Sequence, residues 1–161
     1  MTRVTVTVDD TEVRRALGAL AAQVADLTPA MTDIGQALVT TTDLTFRGQH
    51  DPWGNPWQPL SPVTLARRRG SSAHILRDTG RLANSLHFVA DAHSVAVGTD
   101  VIYAATHQFG NPANRMFGRA SAPIPARPFL PIRASGQVDL PPDLQADILD
   151  ILNRHLQQAL A

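Results

Sequence analysis

Cysteine is missing from all 161 residues. Its absence excludes disulfides, thiolate zinc sites and a cysteine nucleophile, and it is neutral about compartment. Lysine is missing too, so all 14 basic residues are arginine, and glutamate occurs once, at Glu12. Arginine suits interfaces and bidentate contacts to carboxylate or phosphate, although a genome-composition bias would give the same usage. Aromatic residues make up 5% of the chain. The longest apolar runs are a few residues, against the ~20 that a spanning helix needs. The start of the chain, Met1-Thr2-Arg3-Val4-Thr5-Val6, alternates like a strand and lacks the apolar block of a signal peptide. With 43% hydrophobic and 17% charged residues, the composition is neither that of a disordered chain nor that of a membrane protein. These absences predict one soluble domain over residues 1–161, made inside the cell.

What is present is charge in blocks. The formal net charge is zero, from 14 arginines and 14 acids. Residues 1–46 carry three Arg and six acids, residues 47–133 ten Arg and four acids, and residues 134–161 one Arg and four acids. The neutral total therefore conceals an acidic head, a basic middle and an acidic tail.

The pattern predicts an α+β fold, with a small antiparallel sheet packed by a long N-terminal helical segment and a C-terminal helix. Arg3–Val8 has Val at alternate positions, as in a half-buried strand. Val13, Leu17, Leu20, Val24 and Leu27 form a helical stripe. Thr28-Pro29 reads as a break and restart with Thr28 as cap, followed by helix over 29–47, which Thr40-Thr41-Thr42 weakens. Residues 48–60 hold three Pro, two Gly and both tryptophans and read as loop. A short helix runs from Ser61 to Arg69, and Asp78–Leu82 is a capped turn or short helix. Ser85–Ala90 and Ser94–Gly98 read as a hairpin, and Val101–Gln108 as helix. Residues 111–126 form a long loop, Pro128–Ile132 an edge strand, and a last helix opens at Pro141-Pro142-Asp143 with Leu144, Ile148, Ile151, Leu152 and Leu156 on one face.

No catalytic, cofactor or metal constellation emerges. His50, His74, His87, His93, His107 and His155 are scattered, with no pair at i,i+4. His50-Asp51, even with His107, offers too few ligands for a metal-dependent hydrolase, and the histidines read as surface or interface residues. No Gly-x-Ser-x-Gly elbow and no phosphate-binding loop occur. Arg67-Arg68-Arg69 is the strongest basic feature. It either contacts phosphates, making a nucleic-acid-binding module of the Arg-rich middle, or is a solvated helix end whose arginines offset the helix C-terminus or pair with acidic surfaces of a neighbour. Trp53 and Trp57 fold back over the core, anchor an interface, where Trp is enriched, or do both.

Four blocks carry a family resemblance: Asp51-Pro52-Trp53-Gly54-Asn55-Pro56-Trp57-Gln58-Pro59-Leu60, Ile75–Leu86, Val97–Gly110 and Pro125-Ala126-Arg127-Pro128-Phe129-Leu130. In this order and spacing the chain resembles the phage virion morphogenesis family, the tail completion proteins of contractile-tailed phages. One departure is Pro131-Ile132, where a turn into the last helix is expected. The resemblance implies a structural subunit of a tail completion or head-to-tail connector (neck) ring, without enzymatic activity, cofactor or metal. Its implied partners are copies of itself in a ring of six, neighbouring tail and neck proteins, and genome DNA passing through the lumen without specific binding. No membrane is implied, and the protein would sit in the virion after assembly in the host cytoplasm. Interface candidates on this reading are Trp53, Trp57, Arg67, Arg68, Arg69, His107, Phe109, Arg127 and Phe129.

Overall fold

The structure, a computed structural model, describes residues 11–69, 74–116, 119–120 and 122–158. The strand expected at Arg3–Val8 lies outside the described residues. Helix α1 spans Thr11–Ala25, and α2 restarts at Thr28 and runs to Gly48. The Asp26 carboxylate, rather than Thr28, serves the restart, accepting the Thr28 N–H at 3.0 Å. The threonine run does not end α2, because its hydroxyls turn back onto the helix. Thr40 donates to the Gln36 carbonyl and Thr42 to that of Leu38, both at 2.8 Å. With its polar atom satisfied, Thr42 is buried inside the fold.

The expected hairpin forms as β1 (His87–Ala90) and β2 (Val95–Gly98), antiparallel with Ala90 opposite Val95. Asp91 shapes its turn, accepting from the His93 and Ser94 N–H groups and the Ser94 hydroxyl, each at 2.8 Å. Those bonds, the His93 N–H first, hold the Asp91 carboxyl below its usual range. Both strands pack on α2. Gly35 permits this approach, since a Cβ there would lie 2.3 Å from the Phe88 ring. Helix α5 (Pro142–Gln158) also packs on α2, burying Leu144 and Ile151, and His155 Nε2 meets the Asp33 carboxylate across the two helices at 2.9 Å. Helix α1 has its main contact with α5. Much of its apolar stripe stays in water, with Val13, Leu17 and Val24 exposed.

Between α2 and α5 the chain departs from the expected elements in several places. The short helix after Ser61 is α3, Pro62–Ala66 only. The helix expected from Val101 starts three residues later, as α4 (Ala104–Phe109), because Thr99 Oγ1 takes the Val101 N–H and a turn precedes the helix. The expected long loop is a narrow ribbon: Asn111 and Ile124 exchange both backbone hydrogen bonds at its base, and β3 (Arg115–Met116) pairs with β4 (Arg119–Ala120) farther out. Gly110 opens that ribbon at φ 76°, where a Cβ would sit 2.8 Å from the Ala126 nitrogen.

Candidate interaction surface

The core gathers Phe46, Trp57, Ile75, Leu82, Ala83, Val101, Ala104 and Phe129. The Phe46 ring lies 5.6 Å from Trp57, edge-on, and 5.3 Å from Phe129. Trp57 therefore takes the core position among its sequence readings, and its indole N–H donates to the Pro128 carbonyl at 2.8 Å. Gln49, in the left-handed conformation at the end of α2, turns the chain into the Trp loop. Asp51 then ties that loop, accepting from the Trp53 and Asn55 N–H groups and the Asn55 side-chain amide, each at 2.9 Å. Trp53 is half-buried with the Arg133 guanidinium 3.5 Å above its ring, and Arg133 in turn pairs with Asp139.

Arg127 and Phe129 are also interior. Arg127 donates to the carbonyls of Gln58 at 2.9 Å and Pro59 at 3.1 Å, clamping the Trp loop to the chain before α5. Burial pulls its pKa down, but a guanidinium remains charged. Residues 128–132 do not form the expected edge strand. The Gln108 side-chain amide takes the place of a neighbouring strand. Its oxygen accepts the N–H groups of Phe129 and Leu130 at 3.0 and 3.1 Å, and its nitrogen donates to the carbonyls of Leu130 and Ile132, both at 3.0 Å. Pro131 then lets the chain double back, with Ile132 N–H bonding Leu130 O at 2.7 Å. The turn into the last helix comes later: Ile132 bridges to Val138 and Asp139 N–H returns to Pro131 O before α5 begins.

His107 is half-buried beside Tyr103, and its Nδ1 is buried without a hydrogen-bond partner. Burial, with the Arg127 charge as the smaller cause, lowers its pKa from the ordinary 6.5. The unfolded chain therefore takes up this proton first as pH falls. The stability contributed by neutral His107 is present above about pH 6.5 and is lost as pH drops toward the lowered folded value. Urea unfolding between about pH 5 and 7.5 is expected to show that decline, and His107→Leu to flatten it. Identical pH slopes for the two proteins would remove His107 as its source.

Other side chains point outward. Arg67 and Arg69 are exposed and Arg68 is half-buried. Phe109 is exposed, as are Ile102, at 97% of its surface, and Tyr103. Sequence reasoning missed Ile102 and Tyr103 because it placed them within a helix. No group of three or more His, Asp or Glu side chains that could hold a metal occurs among the described residues. No helix among them is long and apolar enough to cross a membrane.

Residues 8–157 match the model of the phage virion morphogenesis family. The chain belongs to that family. It is 34% identical over 135 residues to the Mu-like prophage FluMu G protein 2 of Haemophilus influenzae, covering 83% of this chain and 87% of that protein. It is 29% identical over 128 residues to the putative capsid assembly protein G of Escherichia phage Mu, covering 77% and 76%. No solved structure matches the chain.

Family membership gives the four sequence blocks a physical meaning. Every block supplies the core: Trp57 from the first, Ile75, Leu82 and Ala83 from the second, Val101 and Ala104 from the third, Phe129 from the last. The polar members of the blocks that are buried, Gln108 and Arg127, hydrogen-bond backbone groups of the same chain. The residues of these blocks therefore supply much of the core of this chain. Among the described residues, exposed large apolar side chains lie outside that core on α1, α2, α3, β1, α4 and the turn before it, at Val138, and on α5.

Proposed function

We propose that this virion morphogenesis protein is a structural subunit of the tail completion or neck ring, self-assembling where the tail ends and joins the head. The observation that carries this reading is the division of the fold. The four blocks supply much of the interior, while apolar side chains on α1, on α3 and before α4, and charged side chains after α3 and on α5, stay exposed. Val13, Leu17 and Val24 on α1 and Ile102 before α4 leave apolar area in water, as a protein buried in an assembly does. Segregated charge of both signs with zero net charge favours contact between different faces of identical subunits. The phage Mu relative bears a name of capsid assembly, which agrees with a place at the head–tail boundary. The subunit works by binding rather than catalysis. Its neighbours are tail and neck proteins, and DNA passes through the lumen without specific contacts.

Light scattering and negative-stain microscopy of the purified protein are expected to show a ring of about six copies, closed by head-to-tail contacts. Phage lacking the gene is expected to accumulate filled heads and unjoined tails. A protein that stays monomeric at high concentration, with normal particles formed without it, would sink the reading.

A further inference from the structure

We propose that the contact between neighbouring copies joins α3 and the arginines after it on one copy to the outer face of α5 on the next. This inference rests on the self-assembly reading and names the two surfaces that carry it. Helix α3 buries none of its residues, and every position from Ser61 to Arg67 is exposed. Val63 is 60% and Leu65 44% exposed. Five residues have no helical stability of their own in water. What shapes α3 is local: Pro62 in the first turn and the Ser61 hydroxyl accepting the Thr64 N–H at 3.2 Å. The segment ends in Arg67 and Arg69, which are exposed and form no ion pair among the described residues. It is a short helix with Val63 and Leu65 exposed on different sides, followed by two cations that have no ion pair among the described residues.

Helix α5 presents the complement. Asp143, Asp147 and Asp150 fall at i, i+4 and i+7, which places them along one face. All three are exposed and form no ion pair among the described residues. Ala146, also exposed, borders them one turn from Asp143 and Asp150, and Leu149, 60% exposed, follows it at i+3 on the side away from the acids. The stripe is about 10 Å long at the helical rise of ~1.5 Å per residue, the scale of one short helix and its following turn. Duplex DNA would pair with the arginines but has nothing to cover Val63 and Leu65. A second copy of this chain offers both the acids and the apolar neighbour. Because the two surfaces differ, each copy uses one to its left and the other to its right, the arrangement a closing ring requires. The ion pairs set register and rate of encounter, and burial of the exposed apolar side chains beside them adds holding energy.

Charge exchange tests this. The triple variant Asp143→Arg, Asp147→Arg, Asp150→Arg and the double variant Arg67→Glu, Arg69→Glu each place like charges across the contact. Each is expected to raise the concentration needed for assembly by on the order of 100-fold or more. Circular dichroism and thermal melts check that both stay folded. A chain carrying both sets of reversals has complementary faces again and is expected to assemble, as is an equimolar mixture of the two variants. Wild-type rings with variants that assemble equally well would overturn this contact while leaving the ring reading intact. Failure of the doubly reversed chain to assemble would also overturn it. So would loss of duplex DNA binding in the arginine variant with assembly unchanged, which would give that surface to nucleic acid. A monomeric wild type would overturn the ring reading itself.

Discussion

Replacing Gln108 with leucine is expected to lower the free energy of unfolding by about 3–5 kcal/mol, read as a shift of the urea midpoint. The side chain is 4% exposed and serves four backbone groups of residues 129–132. Leucine fills a similar volume, so packing changes little, but the N–H groups of Phe129 and Leu130 and the carbonyl of Ile132 lose their partner. The Leu130 carbonyl keeps the Ile132 N–H. Each orphaned buried group costs about 1–3 kcal/mol. Gln108→Glu separates the two halves of the role. It retains an acceptor for the two N–H groups but turns a carboxylate toward two carbonyl oxygens. Its loss is expected to shrink at low pH, where a protonated carboxyl donates once. A loss below about 1 kcal/mol for Gln108→Leu would show that water replaces the amide.

Trp57→Ala is expected to destabilise the fold by about 3–5 kcal/mol and, through depletion of folded subunits, to abolish assembly. The indole is buried against Phe46, and its N–H fixes Pro128, so the Trp loop and the segment leading to α5 meet at this one side chain. Trp57→Phe keeps most of the apolar contact and removes the N–H, with an expected loss of about 1–2 kcal/mol. Arg68→Ala, in a half-buried position beyond α3, is expected to leave folding within about 1 kcal/mol of wild type and to impair assembly less than Trp57→Ala. A Trp57→Ala protein melting at the wild-type temperature would contradict this role.

Elements ruled by a regular period were legible from the chain. Helix α2, the hairpin β1–β2 and α5 follow from alternations of 3.6 and 2, with bounds within a few residues. Pairing that skips the backbone period was not legible. Nothing in a one-letter string says that a glutamine will act as the edge of a sheet, so residues 128–132 read as a strand while Gln108 takes the strand's place. The same holds for the turn before α4, where one threonine hydroxyl delays the helix and sends Ile102 into solvent. Trp57, Arg127 and Phe129 stood out in sequence as candidates for contact with other molecules. The fold places them inside, because large aromatics and an arginine with carbonyl partners fill a small core as readily as an interface.

The sequence by itself determined the class of the fold, the lack of thiol chemistry, the block distribution of charge and, through four ordered motifs, the family. Each rests on local properties: residue type, period and spacing. Only the tertiary structure decided which of those residues face inward. Burial depends on contacts between segments far apart in the chain, such as Trp57 with Pro128 and Arg127 with Gln58, and such contacts have no local signature. That sorting puts much of the four motifs into the core and leaves the arginines after α3 and the acids of α5 exposed.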